Sequence, residues 1–416
     1  MLGNSALRDQ KTRFRLFLMS VGLANTSDGM VSLTLLWLST EVFESVIGGS
    51  LILFLRKMPW LLFSIPAGTF VDSWSLPRLL PRVDAIRAII LGLLFAFIWL
   101  GEDLGSFRAS IVLLMSVLVF GSLEVVRDIA AQAYVPRLVP DARLEAANST
   151  IWTIEFGAAL LLAPAIAVIL FDFALWAPLS ACTLFLTCAA WINSAIPANG
   201  GKADVDLKRR QRPKLRSGLN HLLSSPLLLV LSGLTSIWNI MFFGMTVVAV
   251  FIAQTTLMLT STRFSGVLVL SAIAAILGAI LAPVFLRTFG ASPSSFALFL
   301  SAAGALLVLS MVSTLWVFVL CLMIIYFCGP VWTVMSVSER LRATPQSLLG
   351  SVLGAHRFFA FRAAAFGAGS VGAISFLAAY AGHPNLQQFL ICLALSFCGG
   401  CGVLVCGLSR ELKDVN

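Results

Sequence analysis

The stretch "RLVPDARL", residues Arg137–Leu144, returns later in the chain as "RATPQSLL", residues Arg342–Leu349. Both read Arg-x-x-Pro, followed by a polar residue, a small residue, any residue and Leu. The offset between them is 205 residues, close to half of the 416-residue chain. Each stretch follows one long apolar run and opens the next. A match at equivalent places of two halves indicates a duplicated chain that folds as two similar bundles.

The rest of the sequence is strongly apolar. Hydrophobic residues make up 59% of the chain and charged residues 11%, with a mean hydropathy of +0.96. Soluble domains carry about 25% charged residues, so this composition is typical of a membrane protein. About 20 apolar residues cross the hydrocarbon core, and only helices or closed barrels satisfy their backbone there. Twelve such runs are centred near residues 26, 58, 92, 118, 157, 184, 241, 275, 303, 325, 363 and 397. The predicted fold class is all-α integral membrane, with twelve transmembrane helices in two pseudo-symmetric six-helix bundles.

The longest polar stretch divides these spans into six and six. Residues 197–226 are rich in Gly, Pro and charge, with seven cations against two acids, which is typical of a linker. We therefore expect an N-terminal six-helix bundle at residues 1–196, a cytoplasmic linker loop at 197–226 and a C-terminal six-helix bundle at 227–416. The end of the loop, "SGLNHLL", indicates a short interfacial helix.

The cations also predict the orientation. If the N-terminus is cytoplasmic, 21 of the 28 Lys and Arg residues fall on the cytoplasmic face, and only Arg108 and Arg263 fall on the other. This asymmetry predicts a multi-pass protein of the cell (inner) membrane with both termini in the cytoplasm. The net charge of +9 is therefore a signal of topology, and we expect no nucleic-acid partner.

Several charges lie inside the predicted spans. Counted at about 1.5 Å per residue from the span ends, four of them reach the middle of the membrane. These are Asp28, Arg56, Glu155 and Arg357. An isolated charge at that depth costs at least ~2.5–3.5 kcal/mol, so each is expected to face the interior and find a partner. We predict a proton-coupling central cavity with Asp28 and Arg56 as a pair. The alternative is an ion pair that only fixes packing.

Two of the buried charges have no obvious partner in their own helices. Glu155 has no cation at i±3 or i±4, so its partners are expected on other helices, at Arg56 or Arg357. A carboxyl group there can load and release a proton as water access alternates, or it can be permanently paired and hold its helix in place. Lys57 points about 100° away from Arg56, toward a neighbouring helix or water, and its role stays open.

The second half of the chain is poor in acids. Between Pro226 and Ser338 there is no Asp or Glu, so Arg357 has no intramembrane acid in its own half. Its candidate partners are Glu155 or Asp28, backbone carbonyls, or an anionic substrate. Arg357 is therefore the residue of this half that is most directly implicated in a central cavity.

Two further charge groups are spaced for pairing within one helix. Glu124, Arg127 and Asp128 stand at i, i+3 and i+4, which places them on one helical face near the predicted cytoplasmic side. They are interpreted as a gating cluster that is paired within itself. Asp84 and Arg87 stand at i and i+3 and predict a pair at the start of a helix.

Asp72 has a different expected partner. It follows the second span and is placed to face the N-terminus of the helix that starts after Pro345. The dipole of a helix favours an anion at that end. We therefore predict a gating contact between Asp72 and the eleventh helix.

Aromatic and amide side chains are candidates for a substrate pocket. Trp152, Trp238 and Asn239 are predicted to lie deep enough in their spans to line it. Most tryptophans of membrane proteins are interfacial anchors or packing residues, and that alternative stays open for each of them.

The stretch after the second span resembles the signature of the major facilitator superfamily. In "GTFVDSWSLPR" the chain keeps Gly68, Asp72 and a later cation, Arg78, whereas Ser73 and Ser75 replace the signature's cation and second glycine. The resemblance covers nearly the whole chain and implies two six-helix halves. It also implies that Asp72 helps to lock the cytoplasmic gate, and Arg78 is predicted as a gating residue with it.

Other stretches are similar to the branch of that superfamily that holds enterobactin exporters and macrolide-efflux proteins. They are "TSDGM", "LRKMP", "VDAIRA" and "PRLVPDARLEAANS". This resemblance implies the export of a small molecule, driven by protons. The Gly-Pro motif that antiporters of the superfamily carry in the fifth helix is present only as Ala163-Pro164.

Several function classes remain to be distinguished. The leading hypothesis is a secondary transporter that exports a small amphipathic molecule, neutral or anionic and siderophore- or drug-like, in exchange for protons, by alternating access. The alternatives are a lipid or lysolipid translocase on the same fold and an uptake permease. No catalytic group, metal-ligand spacing or Walker lysine is visible, so we expect neither an enzyme nor a cofactor or metal. The expected partners are the substrate, protons and the lipid bilayer, and we expect a monomer.

Overall fold

The computed structural model describes residues 2–43, 46–100, 106–196, 216–311 and 314–380. Throughout these ranges every regular element is helical, which confirms the all-α class. The predicted span centred near residue 397 lies outside the described residues, as do residues 197–215 of the expected linker. The count of twelve helices therefore stays a prediction.

Within each half the helices follow one another with few residues between them. Those of the first half are α1 (Leu2–Phe43), α2 (Val46–Leu62), α3 (Ser64–Asp72), α4 (Leu76–Trp99), α5 (Phe107–Leu138), α6 (Leu144–Gly157), α7 (Ala163–Phe171) and α8 (Ala177–Ala195). Those of the second half are α9 (Ser217–Ser224), α10 (Pro226–Phe251), α11 (Ser261–Phe289), α12 (Ala291–Leu309), α13 (Leu315–Ala343) and α14 (Leu349–Tyr380). The short helix α9 covers the "SGLNHLL" stretch, as predicted.

Polar caps and prolines set several of these boundaries. The hydroxyl oxygen of Ser106 accepts a hydrogen bond from the backbone N–H of Ala109 and caps α5. Thr260 caps α11 in the same way through Arg263. Such caps satisfy backbone N–H groups that have no partner in the first helical turn. The helices therefore begin where the sequence changes from polar to apolar.

Seven helical segments of the described chain are long and apolar enough to cross a membrane. They are Phe107–Leu138, Asp141–Phe171, Ala177–Ala195, Pro226–Gln254, Arg263–Phe289, Ala291–Leu309 and Leu315–Ala343. Each matches one of the predicted spans, and together they make the chain a multi-pass membrane protein. The predicted spans near residues 26, 58, 92 and 363 fall in α1, α2–α3, α4 and α14, each of which carries a charge of the site described below.

The internal repeat is reproduced in the structure. The helix α5 ends at Leu138 and α6 begins at Leu144, whereas α13 ends at Ala343 and α14 begins at Leu349. The helix ends and the helix starts are each separated by the same 205 residues as the two sequence motifs. Proline ends a helix because it lacks a backbone N–H, and both connections contain one at the same place.

Two long spans are interrupted near their middle. Pro59 lies inside α2, and the path bends at Phe63 before it continues as α3. Between α6 and α7, residues Ala158–Leu162 form a π-helical turn just before Pro164. Proline leaves a carbonyl of the preceding turn without its N–H partner, and wider turns of this kind are frequent at functional sites.

The described residues form two compact units. One unit contains most of the first half together with Thr344–Phe358, and the other contains Glu145–Thr153 with His221–Ala343 and the rest of α14. The core of the first unit is mainly aliphatic, with residues such as Met30 and Leu91, and also includes Phe120. The second has an aromatic core with Phe299 and Trp332, whose rings meet edge to face at 5.0 Å.

Candidate functional site

The first unit collects charged side chains from six helices. We call them the central charge cluster. Its members are Asp28 (α1), Arg56 and Lys57 (α2), Asp84 and Arg87 (α4), Glu124, Arg127 and Asp128 (α5), Glu155 (α6) and Arg357 (α14). All four charges predicted at mid-membrane belong to it.

The innermost part of the cluster is fully enclosed. Asp84 and Arg87 are 0% exposed and form an ion pair of 3.5 Å across one helical turn. Arg87 extends further and pairs with the carboxylate of Asp28. On the other side, the Nε of Arg127 lies 3.4 Å from Asp84 Oδ1, and Asn193 donates a hydrogen bond of 2.9 Å to Asp84 Oδ2. Charges so deeply buried are tolerated only in such mutual pairing.

The prediction that Asp84 and Arg87 start a helix is wrong. The helix α4 begins at Leu76, after Ser75 and with Pro77 in its first turn, so the two charges lie two to three turns inside it. Their depth in the helix is what allows Arg87 to reach Asp28. The i, i+3 pairing itself is confirmed.

The predicted ion pair between Asp28 and Arg56 is also wrong. The carboxylate of Asp28 pairs with Arg87, and Arg56 reaches only the backbone carbonyl of Asp28, at 3.2 Å. The acid that Arg56 contacts is Glu124, at 3.2 Å. This pairing arises because α2 and α5 approach closely at Gly121, where a Cβ atom would lie 3.2 Å from the carbonyl oxygen of Arg56. One turn later, the side chain of Glu124 faces the guanidinium.

The gating cluster is not paired within itself. Glu124 pairs with Arg56, Arg127 with Asp84, and Asp128 with Arg357. Nor do these residues lie at the end of their helix, since α5 continues to Leu138 and Glu124 stands about 21 Å before that end at 1.5 Å per residue. They belong to the middle of the bundle.

Arg357 marks the open side of the cluster. Its Nη1 lies 2.5 Å from Asp128 Oδ2, and its guanidinium carbon lies 5.0 Å from the centre of the Trp60 ring. The side chains of Arg357 and Asp128 are 13% and 30% exposed, in contrast to the enclosed pair of α4. Arg357 thus pairs with Asp128, which was predicted to belong to the gating cluster, and not with the expected partners Glu155 or Asp28.

Glu155 makes no hydrogen bond or ion pair with any described residue. It lies within electrostatic reach of Asp128, Arg127, Arg357 and Asp28. Its helix α6 approaches α1 at Gly22, which leaves room for Ile154, and the following helix α7 approaches α1 at Gly29, which leaves room for Ala163. The other four acids of the cluster each contact an arginine. Glu155 is therefore the acid of the cluster that has no ion pair with a described residue.

Asp72 contacts α14 as predicted. Its Oδ1 accepts a hydrogen bond of 2.6 Å from the backbone N–H of Gly350, and its Oδ2 accepts bonds of 2.7 and 2.5 Å from the backbone N–H and hydroxyl of Ser351. Gly68 and Gly354 allow this contact, since a Cβ on either would overlap backbone of the opposite helix. A carboxylate at the N-terminus of a helix is stabilised by the free N–H groups and by the dipole.

The three residues predicted for a substrate pocket belong to the second unit. Trp238 is 5% exposed and packs edge to face on Phe299 in the core of the second unit. Trp152 packs against the same core, and Asn239 donates a hydrogen bond of 3.0 Å to the carbonyl of Ala360. Arg78 is exposed in the first turn of α4, where it pairs with no described residue.

The roles of two members of the site were not predicted from the sequence. Arg87, the partner of Asp28, was interpreted as a local pair, and Trp60 was not considered. The sequence did contain a signal for the role of Arg87. It lies within an apolar stretch of α4, and burying a charge there is costly unless it finds a partner. Among the residues that the structure describes, no three His, Cys, Asp or Glu side chains are grouped as metal ligands.

The sequence matches no protein-family model, and no curated protein matches it significantly. Solved structures do share its fold. A bacterial homologue of the iron transporter ferroportin, in an outward-facing state, covers 96% of this chain and 99% of its own, with 15% identity and a TM-score of 0.75. The human organic anion transporter MFSD10 covers 94% and 99%, with 16% identity and a TM-score of 0.70. The E. coli transporter FucP covers 97% and 99%, with 12% identity and a TM-score of 0.71. The fold of this chain is therefore that of major facilitator superfamily transporters.

Proposed function

We propose that this chain, with the fold of major facilitator superfamily transporters, is a secondary active transporter in which Glu155 carries the coupled proton. It exports a small amphipathic molecule, neutral or anionic, by alternating access. It acts as a monomer in the cell (inner) membrane, with both termini cytoplasmic. The observation that carries the proposal is the carboxyl group of Glu155, without a partner among the described residues, beside a network of paired charges.

The network gives this carboxyl group a specific role. The four arginines of the cluster face four paired acids, and the two remaining members, Lys57 and Glu155, form no ion pair with a described residue. An ionised Glu155 competes with Asp128 for Arg357, whereas a protonated Glu155 leaves the pair of Asp128 and Arg357 undisturbed. Loading and release of one proton therefore changes which acid attracts Arg357.

The helix α14 connects this event to the gate. Arg357 lies about 12 Å along α14 from Leu349, at 1.5 Å per residue. The first turn of the same helix is bonded to Asp72. A helix moves as a rigid element, so a shift of Arg357 between two acids is transmitted to the contact with Asp72. This linkage supports a mechanism in which protonation and opening of the cytoplasmic gate are coupled.

The proposal that the cargo is amphipathic rests on the chemistry of the cluster. The structural similarity concerns the fold alone. At its open side the cluster leaves Arg357 and Asp128 partly exposed, with the guanidinium of Arg357 over the buried ring of Trp60. A partly exposed guanidinium suits an amphipathic molecule with a negative group.

The test uses an efflux-deficient bacterial strain and a panel of fluorescent amphipathic anions and neutral dyes. We expect the wild-type protein to lower the accumulation of at least one dye, and a protonophore to abolish the effect. For that dye, Glu155→Gln is expected to abolish gradient-driven export and to preserve exchange down the dye's own gradient. The matched control is Asp172→Asn, the same chemical change at an exposed acid beyond α7, which should export normally.

Two other results would contradict the proposal. Higher accumulation in cells that carry the protein would reverse the direction and identify an uptake permease. Export that persists in the presence of protonophore and in Glu155→Gln would show that protons at Glu155 do not drive it.

A further inference from the structure

Lys57 is the one member of the central charge cluster whose position the proposed proton step does not explain. In the span that α2 and α3 form together, it lies about 16 Å from Val46 and about 22 Å from Asp72, at 1.5 Å per residue. Its side chain is exposed, whereas Arg56 beside it is buried. An ammonium group at mid-membrane is costly against lipid and is normally found facing protein or a water-filled cavity.

The neighbours of Lys57 show which way it faces. Trp60 follows it at i+3 on the same helical face, and the Trp60 ring carries the guanidinium of Arg357 at 5.0 Å. Glu124 and Asp128 are the acids that act on the ammonium most strongly. Lys57 therefore lies on the side of α2 that looks toward the open end of the cluster, where Asp128 is partly exposed.

The charge of Lys57 is not used within the described part of the chain. Each arginine of the cluster has an acid in contact, whereas Lys57 forms no hydrogen bond or ion pair with a described residue. Arg56 is 7% exposed, and its Nη1 also has no hydrogen-bond partner among the described residues. A buried donor without a partner is costly, so a ligand that supplies acceptor oxygens would be stabilised here.

An apolar surface accompanies this charge. Phe54 stands at i−3 from Lys57 on the same face of α2 and is 59% exposed. Trp60 stands at i+3 and is 3% exposed, so the apolar surface beside the ammonium is that of Phe54. A ring and a charge in this order match a molecule with an oxyanion at one position and an apolar body beside it.

We propose that Lys57 binds the oxyanion, a carboxylate or a phosphate, of the amphipathic molecule that the protein moves, and so selects anionic over neutral cargo. The assignment rests on the proposed transport function and deepens it. The oxyanion can belong to a free organic acid or to the headgroup of an anionic lipid, since both present the same charged oxygens.

The first measurement asks whether water reaches Lys57. The variant Lys57→Cys is prepared in a background whose native cysteines are replaced, and it is reconstituted in lipid vesicles. The vesicles are treated with a methanethiosulfonate reagent that carries a negatively charged sulfonate. Leu184→Cys, at an exposed apolar position of α8, is the comparison. We expect Lys57→Cys to react and Leu184→Cys to stay unmodified, because hydrocarbon excludes the charged reagent. An unreactive Lys57→Cys would place the side chain against lipid and overturn the proposal.

The second measurement is binding without a proton gradient. A dansyl-labelled fatty carboxylate and its methyl ester are titrated against the protein in phosphatidylcholine nanodiscs. We expect the acid to bind more tightly than the ester by about tenfold or more, because a charge-assisted bond is lost in the ester. Lys57→Gln should abolish this preference, Lys57→Arg should retain it, and Lys11→Gln, a distant exposed lysine, should leave it unchanged. Equal binding of acid and ester by the wild type, or an unchanged preference in Lys57→Gln, would overturn the proposal.

A third arm separates the two sources of the oxyanion. Nanodiscs that contain phosphatidylglycerol should displace the labelled acid if a lipid headgroup is the native ligand, and should leave it bound if a free organic acid is. Because these titrations need no gradient, an anion preference that depends on Lys57 can stand even if Glu155→Gln leaves transport intact. Conversely, gradient-driven export without any anion preference would contradict the assignment of Lys57 alone.

Discussion

Replacement of Asp72 by asparagine is expected to open the contact between α3 and α14. The asparagine keeps one acceptor oxygen for Gly350 but turns an amide N–H toward Ser351, so the two bonds at Oδ2 and the negative charge are lost. Hydrogen bonds to a charged group contribute about 1.5–3 kcal/mol each, and the half-exposed position reduces their sum. We expect a total loss of about 2–4 kcal/mol, which raises the open population about 30- to 700-fold before it saturates.

The open population can be measured by alkylation of a single cysteine. Ala133 is 2% exposed and lines a small cavity together with Asp72, Gln346 and Leu349. In a variant whose native cysteines are replaced, Ala133→Cys should react slowly with N-ethylmaleimide while the contact is closed. When opening and closing are fast relative to alkylation, the rate follows the open fraction. Asp72→Asn should therefore accelerate the reaction by the factor given above.

Two further variants test the reasoning behind this magnitude. Ser351→Ala removes only the hydroxyl bond to the carboxylate, about 1–2 kcal/mol after the same reduction for exposure, and should accelerate alkylation by about five- to thirtyfold. Asp172→Asn makes the same chemical change at an exposed acid and should have no effect. An alkylation rate in Asp72→Asn within twofold of the parent would refute the view that these bonds hold the contact closed.

Three other changes probe the packing and the charge network. In Gly354→Leu the new side chain has no room against α3, so the alkylation rate of Ala133→Cys should rise without any change in charge. An unchanged rate would contradict the close approach of α3 and α14 at Gly354. Arg87→Gln leaves Asp28 buried without its cation, which should cost about 3–5 kcal/mol and lower Tm in a thermal-shift assay, whereas an unaltered Tm would show that the pair contributes nothing. Arg56→Gln and Glu124→Gln should each impair transport, and the double variant should lose less than the two single effects combined; strict additivity would mean that the two groups act independently.

The residues that sequence reasoning placed correctly are those fixed by distance along a helix. Spans, the repeat at Pro140 and Pro345, and the contact of Asp72 with α14 depend on where helices begin and end, which apolar runs and prolines indicate directly. The same count brought Asp28 and Arg56 to one level, and the structure places both in the central charge cluster.

The residues that were misassigned depend on which way a helix faces. Depth gives no direction around the helix axis, so nothing in the sequence separated Arg87 from Arg56 as the partner of Asp28. The close approach at Gly121 that turns Arg56 toward Glu124 is a property of packing. The start of one helix was also misplaced, because Asp84 and Arg87 were expected there, whereas α4 begins at Leu76 with Pro77 in its first turn.

The central claim, that Glu155 carries the coupled proton, is tested most directly in proteoliposomes with a dye that the wild type exports. Gradient-driven transport and exchange without a gradient are measured side by side for the wild type, Glu155→Gln and Asp172→Asn. The account predicts that Glu155→Gln loses gradient-driven transport and keeps exchange, while Asp172→Asn keeps both. Gradient-driven transport by Glu155→Gln at the wild-type rate would contradict it.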